Sequence, residues 1–143
     1  TRLLMLLVLA TLLLNGCAAY RKMNRNDDCE KAIKNYNRMM RWQEAEKAAI
    51  VFVDKKQRPD YDKKAENLRR RGVTMADYRV LAQECLADKK KAEATVEFDY
   101  FTLPDNRMRT VTDRQVWIFY EEHPDFPDRD EGWRLTSPMP DFK

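Results

Sequence analysis

The sequence predicts an α+β domain in which a long N-terminal helix and a shorter second helix pack on a curved antiparallel sheet of about four strands. Three observations carry that expectation. No Gly or Pro interrupts Asp28 to Lys55. After Gly72 the apolar spacing changes from helical to alternating. Polar turn signals then separate long alternating runs, so that helices come first and strands after, the order of an α+β fold.

Asp27 or Asp28 is suited to cap the first helix. At about 100° per residue, Cys29, Ala32, Ile33, Tyr36, Met39 and Met40 fall on one side, and Trp42, Ala45, Ala49 and Phe52 on nearly the opposite side. A straight helix cannot bury both sets in one core. Either the helix breaks near Arg41 and each half meets the same core, or its first half offers Ile33, Tyr36, Met39 and Met40 to a partner. Met and aromatic side chains suit such an adaptable surface. The second helix reads from Pro59 or Asp60 to Arg71, with Pro near its start and Gly72 after its end. Arg69, Arg70 and Arg71 complement its negative terminus.

Tyr78, Val80, Ala82 and Leu86 share one face of the first predicted strand, and Ala94, Val96, Phe98 and Tyr100 one face of the second. A third strand runs from about Met108 to Glu122, and a short one surrounds Trp133, Arg134 and Leu135. The third is apolar on both sides: Val116, Ile118 and Tyr120 alternate with Val111, Trp117 and Phe119. A strand of that kind must be covered twice, and two helices are too few. Trp117 and Phe119 therefore join Ile33, Tyr36, Met39 and Met40 as candidate interface residues for a protein partner or a second copy.

Two helices followed by this meander, closed by "VWIFY" and "GWRL", resemble the nuclear-transport-factor-like (cystatin-like) superfamily over about Asp28 to Phe142. That resemblance implies a cone-shaped domain whose long helix lies in the hollow of the sheet. Its members include ketosteroid isomerases, dehydratases and many non-catalytic binding or assembly modules, so it does not choose a function.

The opening of the chain is a separate signal. Arg2, the apolar run Leu3 to Leu14 and the small residues Gly16, Ala18 and Ala19 have the three parts of a secretory signal, and the run is too short to span a bilayer. Leu14-Asn15-Gly16-Cys17 resembles the lipobox of bacterial lipoproteins. The resemblance implies cleavage before Cys17, which then carries acyl chains such as palmitate. Residues 1–16 are expected to be the signal, 17–27 the lipidated cysteine with a short tether, and 28–143 one domain. Ala18 after the cysteine resembles the class sorted to the outer membrane.

Chemistry in the remainder is sparse. The net charge is +3, from 27 basic and 24 acidic residues dispersed along the chain, which argues against a nucleic-acid surface. No Cys or His cluster suggests a metal or cofactor. The carboxylates Asp125, Asp128, Asp130 and Glu131 follow the single histidine, His123, without the spacing of a calcium loop. Asp99 with Tyr36, Tyr78 or Tyr100 could form a base and donor, but alternation puts Asp99 opposite Tyr100. With Cys17 acylated, Cys29 and Cys85 remain: a disulfide in an oxidising compartment, or two unpaired thiols. The expected protein is a lipid-anchored lipoprotein of the periplasmic face of the outer membrane. Its domain is expected to be a non-catalytic interaction or envelope-assembly module, not an enzyme. The alternatives are a binder of a small apolar ligand in the cone and an isomerase or dehydratase relative.

Overall fold

The computed structural model describes residues 2–121 and 131–143, and of residues 2–15 and 18 the backbone alone. His123, Asp125, Phe126, Asp128 and Asp130 thus lie outside the described residues. Three helices, α1 (Arg2–Arg41), α2 (Ala45–Phe52) and α3 (Arg58–Arg70), precede four strands, β1 (Val73–Leu86), β2 (Lys91–Thr102), β3 (Arg109–Tyr120) and β4 (Gly132–Leu135). The strands form one antiparallel sheet in the order β1-β2-β3-β4. The fold is α+β, with the helices packed on the sheet.

The long helix breaks after Arg41. Gln43 takes a left-handed φ of 61°, and the amides of Gln43 and Glu44 bond back to the carbonyls of Met40 and Met39. This is the helix-ending arrangement that usually places Gly at the left-handed position. A glutamine there costs about 1 kcal/mol. Tertiary contact offsets that cost: the Gln43 amide pairs with both backbone groups of Met75, accepting from its N–H at 3.0 Å and donating to its carbonyl at 3.4 Å. Arg41 donates to the same carbonyl at 3.0 Å. The break turns the chain so that both apolar sides reach one core. Ile33, Tyr36 and Met40 from α1 and Ala48, Ala49 and Val53 from the α2 region all belong to it.

The tether expected over 17–27 is helical, continuous with α1. No Gly or Pro stops the helix between Ala18 and Arg41, and the body begins to hold it at Arg25. That guanidinium lies 4.4 Å from the centroid of the Phe119 ring. The Arg25 carbonyl accepts from Trp133 Nε1 at 3.0 Å.

In α3, Pro59 occupies the first turn and Tyr61, Ala65 and Leu68 form its buried stripe, and Gly72 follows with φ 66°. Strand β1 carries two bulges, between Met75 and Asp77 and between Val80 and Ala82. The second corrects the alternation read from the sequence. Val80 faces Val96 on the helix side, but Ala82 is paired with Thr95 on the outer face, and Cys85 with buried Ala92. An inserted residue exchanges the faces of everything beyond it. Cys85 rather than Leu86 therefore points at α1.

Cys85 is bonded to Cys29, with 6.3 Å between their Cα atoms across 56 residues of sequence. Closing a loop of that length in the unfolded chain is worth about 4 kcal/mol in the chain-entropy account.

The helix end supplies a test. Gln43→Ala should lower the unfolding free energy by about 2 kcal/mol, because the strained φ stays and Met75 loses its partner. Gln43→Gly should lower it less, since glycine accepts that φ. Urea denaturation of the two variants beside the parent measures both effects.

Candidate functional site

The expected interface residues are corrected by their burial. Ile33, Tyr36 and Trp117 are fully buried, Met40 is 1% exposed, and Met39 and Phe119 pack against the same core. The ring of Trp117 meets Tyr36 edge-on at 5.6 Å and Phe52 at 6.2 Å. Phe119 is covered by Arg25 and by Trp133, whose ring centroid is 5.5 Å away. The break after Arg41 accounts for the difference, because it lets the first half of the helix and α2 share the helix-facing side of β3. Val116, Ile118 and Tyr120, on the outer face, are half-buried.

The interior is not purely apolar. Alternation in β3 puts Asp113 and Gln115 on the same face as Val111 and Trp117, beneath α1. Gln115 and Asn37 exchange hydrogen bonds: Gln115 Nε2 donates to Asn37 Oδ1 at 2.7 Å, and Asn37 Nδ2 to Gln115 Oε1 at 3.3 Å. Asn37 Nδ2 also donates to the Ile33 carbonyl at 2.9 Å. Gln115 Nε2 reaches Asp113 Oδ2 at 2.9 Å, and Trp117 Nε1 donates to Gln115 Oε1 at 3.4 Å. Beside them the hydroxyls of Tyr36 and Tyr61 are bonded to each other, and Tyr61 donates to Met40 Sδ at 3.4 Å. Such a network is tolerated in a core because its members satisfy one another.

Asp113 is the one buried carboxylate among the described residues. Burial pushes it up to about 6, against a weaker lowering by the Gln115 hydrogen bond. Burial also raises both tyrosines, and the nearby Asp113 charge adds to the rise in each. The sequence reading weighed Asp99 and passed over Asp113. Asp99 lies on the outer face of β2, its carboxyl lowered from its ordinary value by hydrogen bonds from Arg79 and Thr110. Tyr100 points inward and its hydroxyl holds the backbone of Lys143. Alternation from Trp117 was the signal that would have found Asp113.

A cleft of about 260 Å³ opens elsewhere, between the α1–α2 turn, α3 and the start of β1. Met40, Ala65, Leu68, Val73 and Met75 line it, with Gln43 and the exposed pair Glu46–Arg69 among its polar residues. Trp42, next to Gln43 in the chain, is 66% exposed, and the Arg41 guanidinium stands 5.2 Å from its ring centroid. Cys17 is exposed on the helical extension. Among the described residues no group of His, Cys, Asp and Glu is placed to hold a metal ion, and no helix is long and apolar enough to cross a membrane.

No family model and no curated protein matches the chain. Among solved structures it is similar to the intermembrane space region of the chloroplast protein ARC6. The TM-score is 0.45 and the identity 10%, over 80% of this chain and 95% of that one.

Asp113 yields a prediction whose sign is set by burial. Its carboxyl binds a proton more tightly folded, near 6, than unfolded, near 3.8. Between those values the native state holds more protons, so this group's stabilisation is complete below about pH 4 and is lost as pH rises through 6. The full difference is about 3 kcal/mol. Exposed carboxylates such as Asp99 are shifted the other way, so the comparison is with Asp113→Asn. Parent minus variant unfolding free energy should fall from pH 4 to pH 7, measured by urea titration at each pH.

Proposed function

We propose that this chain is a lipid-anchored, non-catalytic interaction module of the bacterial envelope. It is held at Cys17 on the periplasmic face of the outer membrane, and its domain is of the cone-shaped nuclear-transport-factor-like kind. The anchor rests on the resemblance of Leu14 to Cys17 to a lipobox. The fold reading rests on element order, and the interaction reading on one observation, the solvent-exposed Trp42 beside an apolar cleft.

The sequence-expected interface is in the core, so the partner surface moves to Trp42, Gln43 and the cleft. An indole left in water is costly for a small domain, and tryptophan is the residue that most often anchors an interface. Gln43 and Arg41 fasten this turn to Met75, so Trp42 is presented on a fixed support. The cleft volume of about 260 Å³ suits one large side chain of a partner. Pockets for small ligands more often hold about 300–1,000 Å³. Asp113, the buried acid, is not among the residues that line it, which supports the non-catalytic reading.

Two substitutions separate the anchor from the surface. Cys17→Ser should abolish incorporation of labelled fatty acid and release the domain from membranes. Acylated or membrane-bound Cys17→Ser protein would sink the lipoprotein reading. Trp42→Ser should keep the parent unfolding midpoint and weaken partner crosslinking in intact cells roughly thirtyfold, the loss of about 2 kcal/mol expected of an anchor residue. Unchanged crosslinking would remove this surface from consideration.

A further inference from the structure

After β4 the chain forms no regular element, yet it is firmly held. Thr136 and Ser137 bond to the backbone of Val116 on β3. The segment Pro138–Lys143 then crosses to β2, where the Tyr100 hydroxyl contacts both backbone groups of Lys143 at 3.0 and 3.1 Å. The hold on this strap comes from side chains rather than from a strand ladder. Lys64 donates to the Met139 carbonyl at 2.8 Å and pairs with Asp141 at 2.7 Å, and Arg71 donates to the Phe142 carbonyl at 2.7 Å.

What the strap covers is aromatic. Phe142 is 3% exposed, and its ring stands edge-on to Tyr100 at 5.1 Å and to Phe98 at 6.1 Å. Phe98 and Tyr100 are themselves buried, so Phe142 fills a slot on the helix-facing side of the sheet. Beside the strap an open crevice of about 330 Å³ is lined by Lys63, Lys64, Asn67, Arg71 and the strap itself. Phe98, against which Phe142 packs, is paired with Val111 on β3.

We infer that the strap occupies a binding slot for a small aryl or alkyl carboxylate, which enters by displacing Phe142 and Asp141. The strap is a template for that ligand: an aromatic ring between Phe98 and Tyr100, and a carboxylate on Lys64. Lys64 on α3 and Arg71 just past its end reach the strap through its carbonyls and Asp141. A carboxylate attached to an apolar body replaces those contacts group for group. The side chain of Asp141 is 80% exposed, so its ion pair with Lys64 opens to solvent, whereas Phe142 is a core residue whose place the apolar body of the ligand must fill. The inference does not depend on the anchor or on Trp42.

The test titrates 4-phenylbutyrate into the parent, Asp141→Asn and Phe142→Ala proteins by calorimetry, with thermal unfolding of each. Asp141→Asn removes one exposed ion pair that competes for Lys64, and should bind 4-phenylbutyrate about threefold more tightly than the parent. Phe142→Ala empties the slot and should gain roughly tenfold or more with one site per chain. The neutral analogue 4-phenylbutan-1-ol should bind either variant more weakly than the acid, and Lys64→Gln should remove that preference. Folded Asp141→Asn that binds 4-phenylbutyrate no better than the parent overturns the inference, and so does equal binding of acid and alcohol. If Phe142→Ala fails to fold, Asp141→Asn decides by itself, because its side chain has no part in the core.

Discussion

The exchange of hydrogen bonds between Asn37 and Gln115 fixes where α1 lies on the sheet, and much of the interior follows from it. Two amides buried between a helix and a strand are satisfied in one relative position only. A slide of α1 by one turn, about 5.4 Å, would break both cross-bonds and leave the buried Asn37 Oδ1 without its Gln115 donor, at a cost of about 1–3 kcal/mol. With that position set, Tyr36 stands over Trp117 and reaches Tyr61. Cys29 comes over Cys85, and Gln43 arrives at Met75. The disulfide at Cys29 and the Gln43 clamp just past Arg41 bracket the part of the helix that lies on the sheet, while the amide pair fixes it between them.

The polar layer carries a cost that the rest of the core offsets. Asp113 bonds Gln115, and no cation contributes to its shift. A buried carboxylate in that state disfavours the folded form as soon as it ionises. Tyr36, Trp117, Phe52 and Phe98 bury enough apolar surface around it for the domain to tolerate the charge.

Much of the fold was legible in the sequence because it depends on short-range periodicity. The three long strands, the short fourth and the helix from Pro59 or Asp60 to Arg71 follow from alternation, Pro and Gly, and the structure places them within a few residues of their expected bounds. The opposed apolar sides of the long helix pointed to a break near Arg41, and that alternative is the one the structure shows. The failures have a common cause. Apolar residues that no single straight element could bury were assigned to a partner, whereas the break after Arg41 brought them into the same core. The turn itself had no glycine to announce it, because Gln43 is held in a left-handed conformation by Met75, 32 positions further along.

By itself the sequence determined the class of fold and the order of its elements, since each is written in contiguous residues. Only the tertiary structure decided which apolar residues are core and which are surface. It alone decided that Cys85 faces Cys29, through a bulge that reverses the strand, and that Asp113 is shut away from water. It alone showed that Phe142 packs edge-on against Phe98 and Tyr100. Each of these depends on contacts between residues tens of positions apart, and neither composition nor periodicity carries such distances.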